Sequence, residues 1–237
     1  MLLKLMAILP VLVASGSAHE HVILLHGLCR TSASMAKLQG VLAQAGYQVS
    51  NVDYPSRTAS IEPLSEEAIG DAWASCQRRG ATRIHFVTHS LGGILVRSFL
   101  SRHRPPELGR VVMLAPPNQG SELVDRLGHW SLFQYLNGPA GSELGTGADS
   151  TPNRLGPVNF CLGIIAGSRS INGINSCLID GPDDGKVSVE RTKVPGMTDH
   201  IIIPATHPLI MRNREALQQT VNFLRNGAFT RKEVPVL

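Results

Sequence analysis

The chain has 237 residues, enough for one well-buried domain and short for two. Hydrophobic residues make up 43% and charged residues 17%, which excludes compositional disorder and supplies a globular core. The formal charge is +4, and its Lys and Arg residues are scattered with no basic run interleaved with aromatics, so a nucleic-acid-binding role has no footing.

In chain order, the first segment carries Lys4, an apolar run from Leu5 to Val13, and then Ala14-Ser15-Gly16-Ser17-Ala18. One positive charge, a short apolar run and small residues at Gly16 and Ala18 predict a signal peptide over residues 1–18, cleaved after Ala18. The run is far shorter than the roughly 20 residues a membrane anchor needs. The expectation is a secreted or periplasmic protein formed by residues 19–237. Export would place Cys29, Cys76, Cys161 and Cys177 in an oxidising compartment, so two disulfides are expected. Cys161 and Cys177 are close in the chain and would pair, leaving Cys29 with Cys76. None of the four has the CxxC spacing of a zinc or redox site, and no metal is expected.

Residues 21–26 read as a buried strand ending at Gly27, and 35–45 as a helix closed by Gly46. A strand at 47–53 leads into the turn Tyr54-Pro55-Ser56. Residues 65–79 read as a helix capped by Ser65 and ended by Gly80. A strand follows at 83–88, a helix at 91–103 and a strand at 110–114, ending at Pro116-Pro117. This alternation predicts an α/β domain with a mostly parallel central sheet and helices on both faces. Regularity is lost over residues 118–157, rich in Gly, Ser, Asn and Pro yet carrying Leu123, Val124, Leu127, Trp130, Leu132, Phe133 and Leu136. This stretch reads as an insertion within one domain. A strand at 160–166, a Gly/Asp-rich loop, a strand at 200–203 and a helix at 209–224 complete the chain.

The sequence Thr88-His89-Ser90-Leu91-Gly92-Gly93 stands directly after an apolar strand and directly before a helix. A turn this sharp strains the backbone and needs small residues around a projecting serine, so Ser90 stands where a nucleophile would. Helix capping by Ser90 is the plainer reading, and the strand-turn-helix context weighs against it. An attacked carbonyl needs oxyanion donors. The N–H of Leu91 is one, and Leu25-His26-Gly27-Leu28 after the first strand offers the N–H of Leu28 as the second. His26 is expected to serve structure. Serine also needs a base, and of His103, His129, His200 and His207 only His207 follows the carboxyl end of a strand, where parallel sheets build their sites. Among Asp180, Asp183, Asp184 and Asp199, the last precedes a strand and stands at the wrong end.

Together, His26-Gly27-Leu28, Thr88-His89-Ser90-Leu91-Gly92-Gly93, Asp184-Gly185-Lys186-Val187 and His207 resemble the α/β-hydrolase superfamily, in its branch of small bacterial secreted lipases and esterases. Thr88 replaces the first glycine of the usual G-x-S-x-G pattern, as a small residue does in several bacterial lipases. The resemblance favours Asp184 as the acid, because Asp followed by Gly and then a Val recurs in secreted lipases. It implies hydrolysis of acyl esters through an acyl-enzyme, without a cofactor, and a transient contact with a lipid surface. It leaves chain length and alcohol open. A non-catalytic protein of the same fold, binding a lipid or a protein partner, is the alternative. The insertion begins at a strand top, so its apolar residues either pack on the sheet as core or line an acyl pocket beneath a lid.

Overall fold

The computed structural model describes residues 19–231, and the expected signal peptide lies outside them. β1 (Glu20–Leu25), β2 (Gln48–Val52), β3 (Arg83–His89), β4 (Leu108–Leu114), β5 (Leu162–Gly167) and β6 (Asp199–Ile203) form one sheet in the order β2-β1-β3-β4-β5-β6. Every pairing is parallel, where the sequence predicted a mostly parallel sheet. The inner strands β1, β3, β4 and β5 are buried along most of their lengths, whereas the edge strands β2 and β6 are half-exposed. That difference explains the near-continuous apolar runs of the inner four, since a parallel strand covered on both faces needs apolar side chains on both.

Successive residues of a strand point to opposite faces, and two apolar layers result. α2 (Ile61–Arg78) and α3 (Leu91–Arg102) cover one face, where Ile69, Trp73, Ile94 and Phe99 belong to one core with Ile23, Phe86, Val111 and Ile164. α1 (Ala36–Gln44) and α8 (Arg214–Asn226) cover the other, bringing Leu38, Leu42, Leu217 and Leu224 to Val22, Leu24, Val112 and Ile165. The chain winds outward from β1 to β2 and then crosses back to β3 on the other side of β1. A crevice opens at the carboxyl ends of strands where the winding reverses, so the β1 and β3 tops frame the expected site. Among the described residues, no helix is long and apolar enough to cross a membrane.

Three expectations are corrected. α2 starts at Ile61, before Pro63, which its first turn tolerates because the prolyl nitrogen has no intrahelical bond to make there. Ser65 therefore does not cap it; its hydroxyl donates to the Glu62 carbonyl, and the Ile61 N–H is taken by the Glu143 carboxylate at 3.0 Å. Second, the insertion is largely helical, forming α4 (Glu122–Leu127), α5 (Ser131–Ser142, broken at Gly138-Pro139) and α6 (Thr151–Arg154). Third, all four cysteines are unpaired. Cys161 precedes β5 at the foot of the sheet, while Cys177 follows α7 (Gly173–Ser176) beyond the β5 top; Cys29 follows β1 at the top, while Cys76 lies near the far end of α2. Each supposed pair has the sheet between its members, and a disulfide needs Cα atoms within about 7 Å.

Candidate active site

β3 ends at His89 and α3 begins at Leu91, so Ser90 alone makes the turn between them. It does so at φ 51° and ψ −121°, a conformation that costs a side-chain-bearing residue about 1–3 kcal/mol and persists only when its surroundings enforce it. They do: the Ser90 N–H donates to the Leu114 carbonyl at the β4 top, and its carbonyl accepts from Gly93. The two glycines that follow answer to space. A Cβ on Gly92 would lie 2.7 Å from the Leu25 carbonyl oxygen, and one on Gly93 would lie 3.0 Å from the Met113 sulfur. α3 is thus seated hard against the tops of β1 and β4.

The sheet brings His207 and Asp184 to this serine. His207 Nε2 is 3.0 Å from Ser90 Oγ, and His207 Nδ1 is 2.7 Å from Asp184 Oδ2. The other carboxylate oxygen accepts the N–H groups of Lys186 and Val187 at 3.0 and 2.9 Å, and the Asp184 carbonyl accepts the His207 N–H at 2.8 Å. Asp184 and His207 are buried, and Ser90 is partly open. With Nδ1–H donated to the carboxylate, Nε2 presents its lone pair to the serine hydroxyl, the tautomer a general base requires. Leu91 is the first residue of α3, so its N–H has no intrahelical acceptor, and Leu28 lines the cavity above Ser90.

Two further histidines hold the frame. His26 is buried and its ring stacks on Tyr54 at 4.1 Å; Nδ1 donates to the Gly27 carbonyl and Nε2 accepts the Tyr54 N–H. Tyr54 returns a bond from its hydroxyl to the His26 carbonyl at 2.6 Å, so the start of the loop carrying Leu28 is held against Tyr54, and beyond Leu28 the Cys29 N–H donates to Ser56 Oγ at 3.1 Å. Burial holds the His26 pKa below the ordinary imidazole value, as this donor–acceptor pattern requires. His89, which the motif carried without a role, donates from Nε2 to the His207 carbonyl at 3.0 Å. Burial pushes its pKa well down, so a neutral ring packs 4.9 Å from the His207 ring. Gly27 serves this packing: its backbone is not left-handed, but a Cβ there would lie 2.7 Å from His89 Nδ1. The left-handed residue of the loop is Cys29, at φ 56°.

The family described as alpha/beta hydrolase fold matches residues 20–156. This chain belongs to that family. The matched span holds Leu28, Ser90 and Leu91; Asp184 and His207 follow it. Among solved structures, the alpha/beta hydrolase chain is similar to the Bacillus licheniformis lipase BlEst2 in mature form, with 19% identity over 89% of this chain and 94% of that one and a TM-score of 0.74. It is similar also to the phospholipase PlaB from Legionella pneumophila, at 18% identity over 88% of this chain but 60% of that one, TM-score 0.70. The metagenome-derived lipolytic enzymes LipS and LipT give 16% identity over 89% and 95%, TM-score 0.61. No curated protein sequence matches the chain.

Ser90 opens on a cavity of about 440 Å³ in this hydrolase fold. Leu28, Leu123, Val124, Phe133 and Leu144 make an apolar wall, and Ile171 and Asn172 of the loop after β5 and Asn175 of α7 also line the cavity. Of the apolar residues the sequence singled out in the insertion, Leu123, Val124 and Phe133 line the cavity, whereas Trp130, Leu132 and Leu136 are exposed. His103 pairs with Glu66 at the end of α3, and His200 meets Thr192 at the foot of β6; neither approaches Ser90. Asp183 is buried beside Asp184 and accepts from Gly185 N and Ser176 Oγ, so it shapes the loop and does not meet His207. Among the described residues no cluster of three or more His, Cys, Asp or Glu side chains is placed to hold a metal.

Proposed function

We propose that this protein hydrolyses carboxylic esters through an acyl-enzyme on Ser90. The observation that carries the reading is the continuous hydrogen-bonded path from Ser90 Oγ through His207 to Asp184 Oδ2, 3.0 and 2.7 Å, on the floor of an apolar cavity. In this reading His207 Nε2 takes the hydroxyl proton as Oγ attacks the acyl carbon, and Asp184 holds the imidazole in its tautomer and stabilises the imidazolium. The N–H groups of Leu28 and Leu91 donate to the oxyanion. His207 then returns the proton to the leaving alcohol, and a water activated by the same nitrogen releases the acid. Buried apolar wall and few polar groups suit an acyl chain, and no cofactor enters. Lipases and a phospholipase among the similar structures support an acyl-ester substrate.

The test is labelling by a fluorophosphonate probe. The wild-type protein should react with one equivalent at Ser90, and the Ser90→Ala variant, folded by circular dichroism, should not react. Labelling that survives in Ser90→Ala, or none in the wild type, would refute the assignment. Export is part of the same proposal and rests on residues 1–18; mass spectrometry of protein recovered outside the cytoplasm should find His19 at its N-terminus.

A further inference from the structure

The walls around Ser90 are chemically unequal. Leu123, Val124, Phe133 and Leu144 make one side apolar, but at Cys29 and Arg30 the cavity meets a second, more open groove of about 830 Å³. That groove is walled by Thr31, Asp53, Ser56, Arg57 and Thr58, with Tyr135 of α5 also lining it. An ester seated on Ser90 sends two arms from its reacting carbon. On the ester-hydrolase reading the apolar wall would take the acyl arm, which leaves the groove with its two arginines for the alcohol.

Charge narrows the alcohol further. The catalytic cavity is lined by Arg30, Lys186 and one carboxylate, Asp184, which is already committed to His207 and to the N–H groups of Lys186 and Val187. Among the described residues no hydrogen bond or ion pair engages the side chain of Arg30 or Lys186. Arg30 lines cavity and groove alike, and Arg57 lines the groove, giving one N–H to the Leu136 carbonyl at a long 3.4 Å. The groove's one acid, Asp53, accepts the Ser32 N–H at 2.7 Å and lies 3.6 Å from His26 Nε2. Arg30, Arg57 and Lys186 stand against the carboxylates of Asp53 and Asp184, so the side-chain charge where cavity and groove meet is net positive. The Arg30 charge also reaches the site itself, where it adds to burial in keeping His89 neutral.

We propose that Arg30, with Arg57 beyond it, binds an anionic group on the alcohol arm, so that the preferred substrate is an acyl ester whose alcohol carries a phosphate. A phosphate offers several charged acceptors and engages more than one planar guanidinium fork at once, which a hydroxyl does not. The assignment rests on the ester-hydrolase reading of Ser90 and adds the identity of the leaving alcohol to it.

Two soluble esters of one acyl length, 1-hexanoylglycerol and 1-hexanoylglycerol 3-phosphate, separate the alternatives. The wild type should favour the phosphate ester in kcat/KM by about tenfold, the low end for hydrogen bonds to a charged group. Arg30→Gln should remove most of that preference through KM, and Arg30→Lys should keep part of it. Glycerol 3-phosphate should inhibit p-nitrophenyl ester turnover by the wild type competitively and about tenfold more weakly in Arg30→Gln. Equal kcat/KM on the two esters, or a ratio that Arg30→Gln leaves unmoved in a variant of normal Tm, would overturn the proposal. Turnover of neither ester overturns it too, and labelling of Ser90 then shows whether the hydrolase reading falls with it.

Discussion

Asp183 and Asp184 are adjacent, buried and hydrogen-bonded, yet one peptide step turns their carboxylates toward different partners: Gly185 N and Ser176 Oγ for the first, His207 Nδ1 for the second. Asparagine keeps an oxygen acceptor at both positions but removes the charge and supplies N–H donors. At 184 that change favours the wrong tautomer of His207, and Asp184→Asn should lower kcat by roughly 10²–10⁴ with a smaller effect on KM. Asp183→Asn retains the acceptor its two donors need and should cost far less. Steady-state kinetics on one p-nitrophenyl ester decides, and the reverse ranking would move the acid to Asp183. At this scale the meeting of Ser90 and His207 was legible because a strand top followed by a turn is a local pattern. Choosing between the two aspartates needed the resemblance, since both sit in the same turn-rich run. The cysteine pairing failed because closeness in the chain, as for Cys161 and Cys177, says nothing when a whole strand of six residues separates them. His89 stood in view inside the motif, but its partner is a backbone carbonyl 118 residues away, and no sequence pattern announces such a bond.

The insertion shows the same limit for elements. Its apolar content was plain, while its anchorage was not: the buried Arg97 guanidinium on α3 donates to carbonyls of Asn118, Pro152 and Gly156, so both ends of the insertion are fastened to the helix that follows Ser90. Glu143 ties its middle to the start of α2, which is why that helix begins four residues before Ser65. Between these anchors, Phe133 turns into the cavity and Trp130, 58% exposed, turns out. Truncating each separates acyl recognition from surface. Phe133→Ala should lower the kcat/KM of long relative to short p-nitrophenyl esters by about fivefold for each acyl methylene that the ring no longer covers, from about 1 kcal/mol per methylene. Trp130→Ala should leave that ratio unchanged for monomeric esters. A fall in Tm for Phe133→Ala with the ratio intact would make Phe133 ordinary core and place the acyl arm elsewhere.

Across the whole molecule, the alternation of buried strand and helix was readable because each inner strand is covered on both faces, although histidines interrupt the apolar runs of β1 and β3. His21 and His85 are fully buried in β1 and β3, and His26 and His89 follow at the strand tops. Burial lowers the pKa of all four, as it does for His200. His85 shows the consequence most directly: burial first, then the charges of Arg110 and Arg83, push it down to about 4, while its Nδ1 accepts the Arg110 N–H at 2.9 Å and Glu20 lies 3.5 Å from its Nε2. A histidine with a folded pKa below its unfolded value binds its proton in the unfolded chain first. Stability is therefore highest above about pH 6.5 and is lost as pH falls from there toward 4, by about 3 kcal/mol for this group in full and about 2 kcal/mol by pH 5. In a domain of this size 2 kcal/mol corresponds to roughly 4–8 °C in Tm. His85→Gln removes the titration and keeps an acceptor for Arg110, so its Tm should start lower at pH 7.5 and converge on the wild type as pH falls to 5. If the two melting curves instead stay parallel across that range, His85 takes up its proton as readily folded as unfolded, and the acid sensitivity belongs to the other buried histidines.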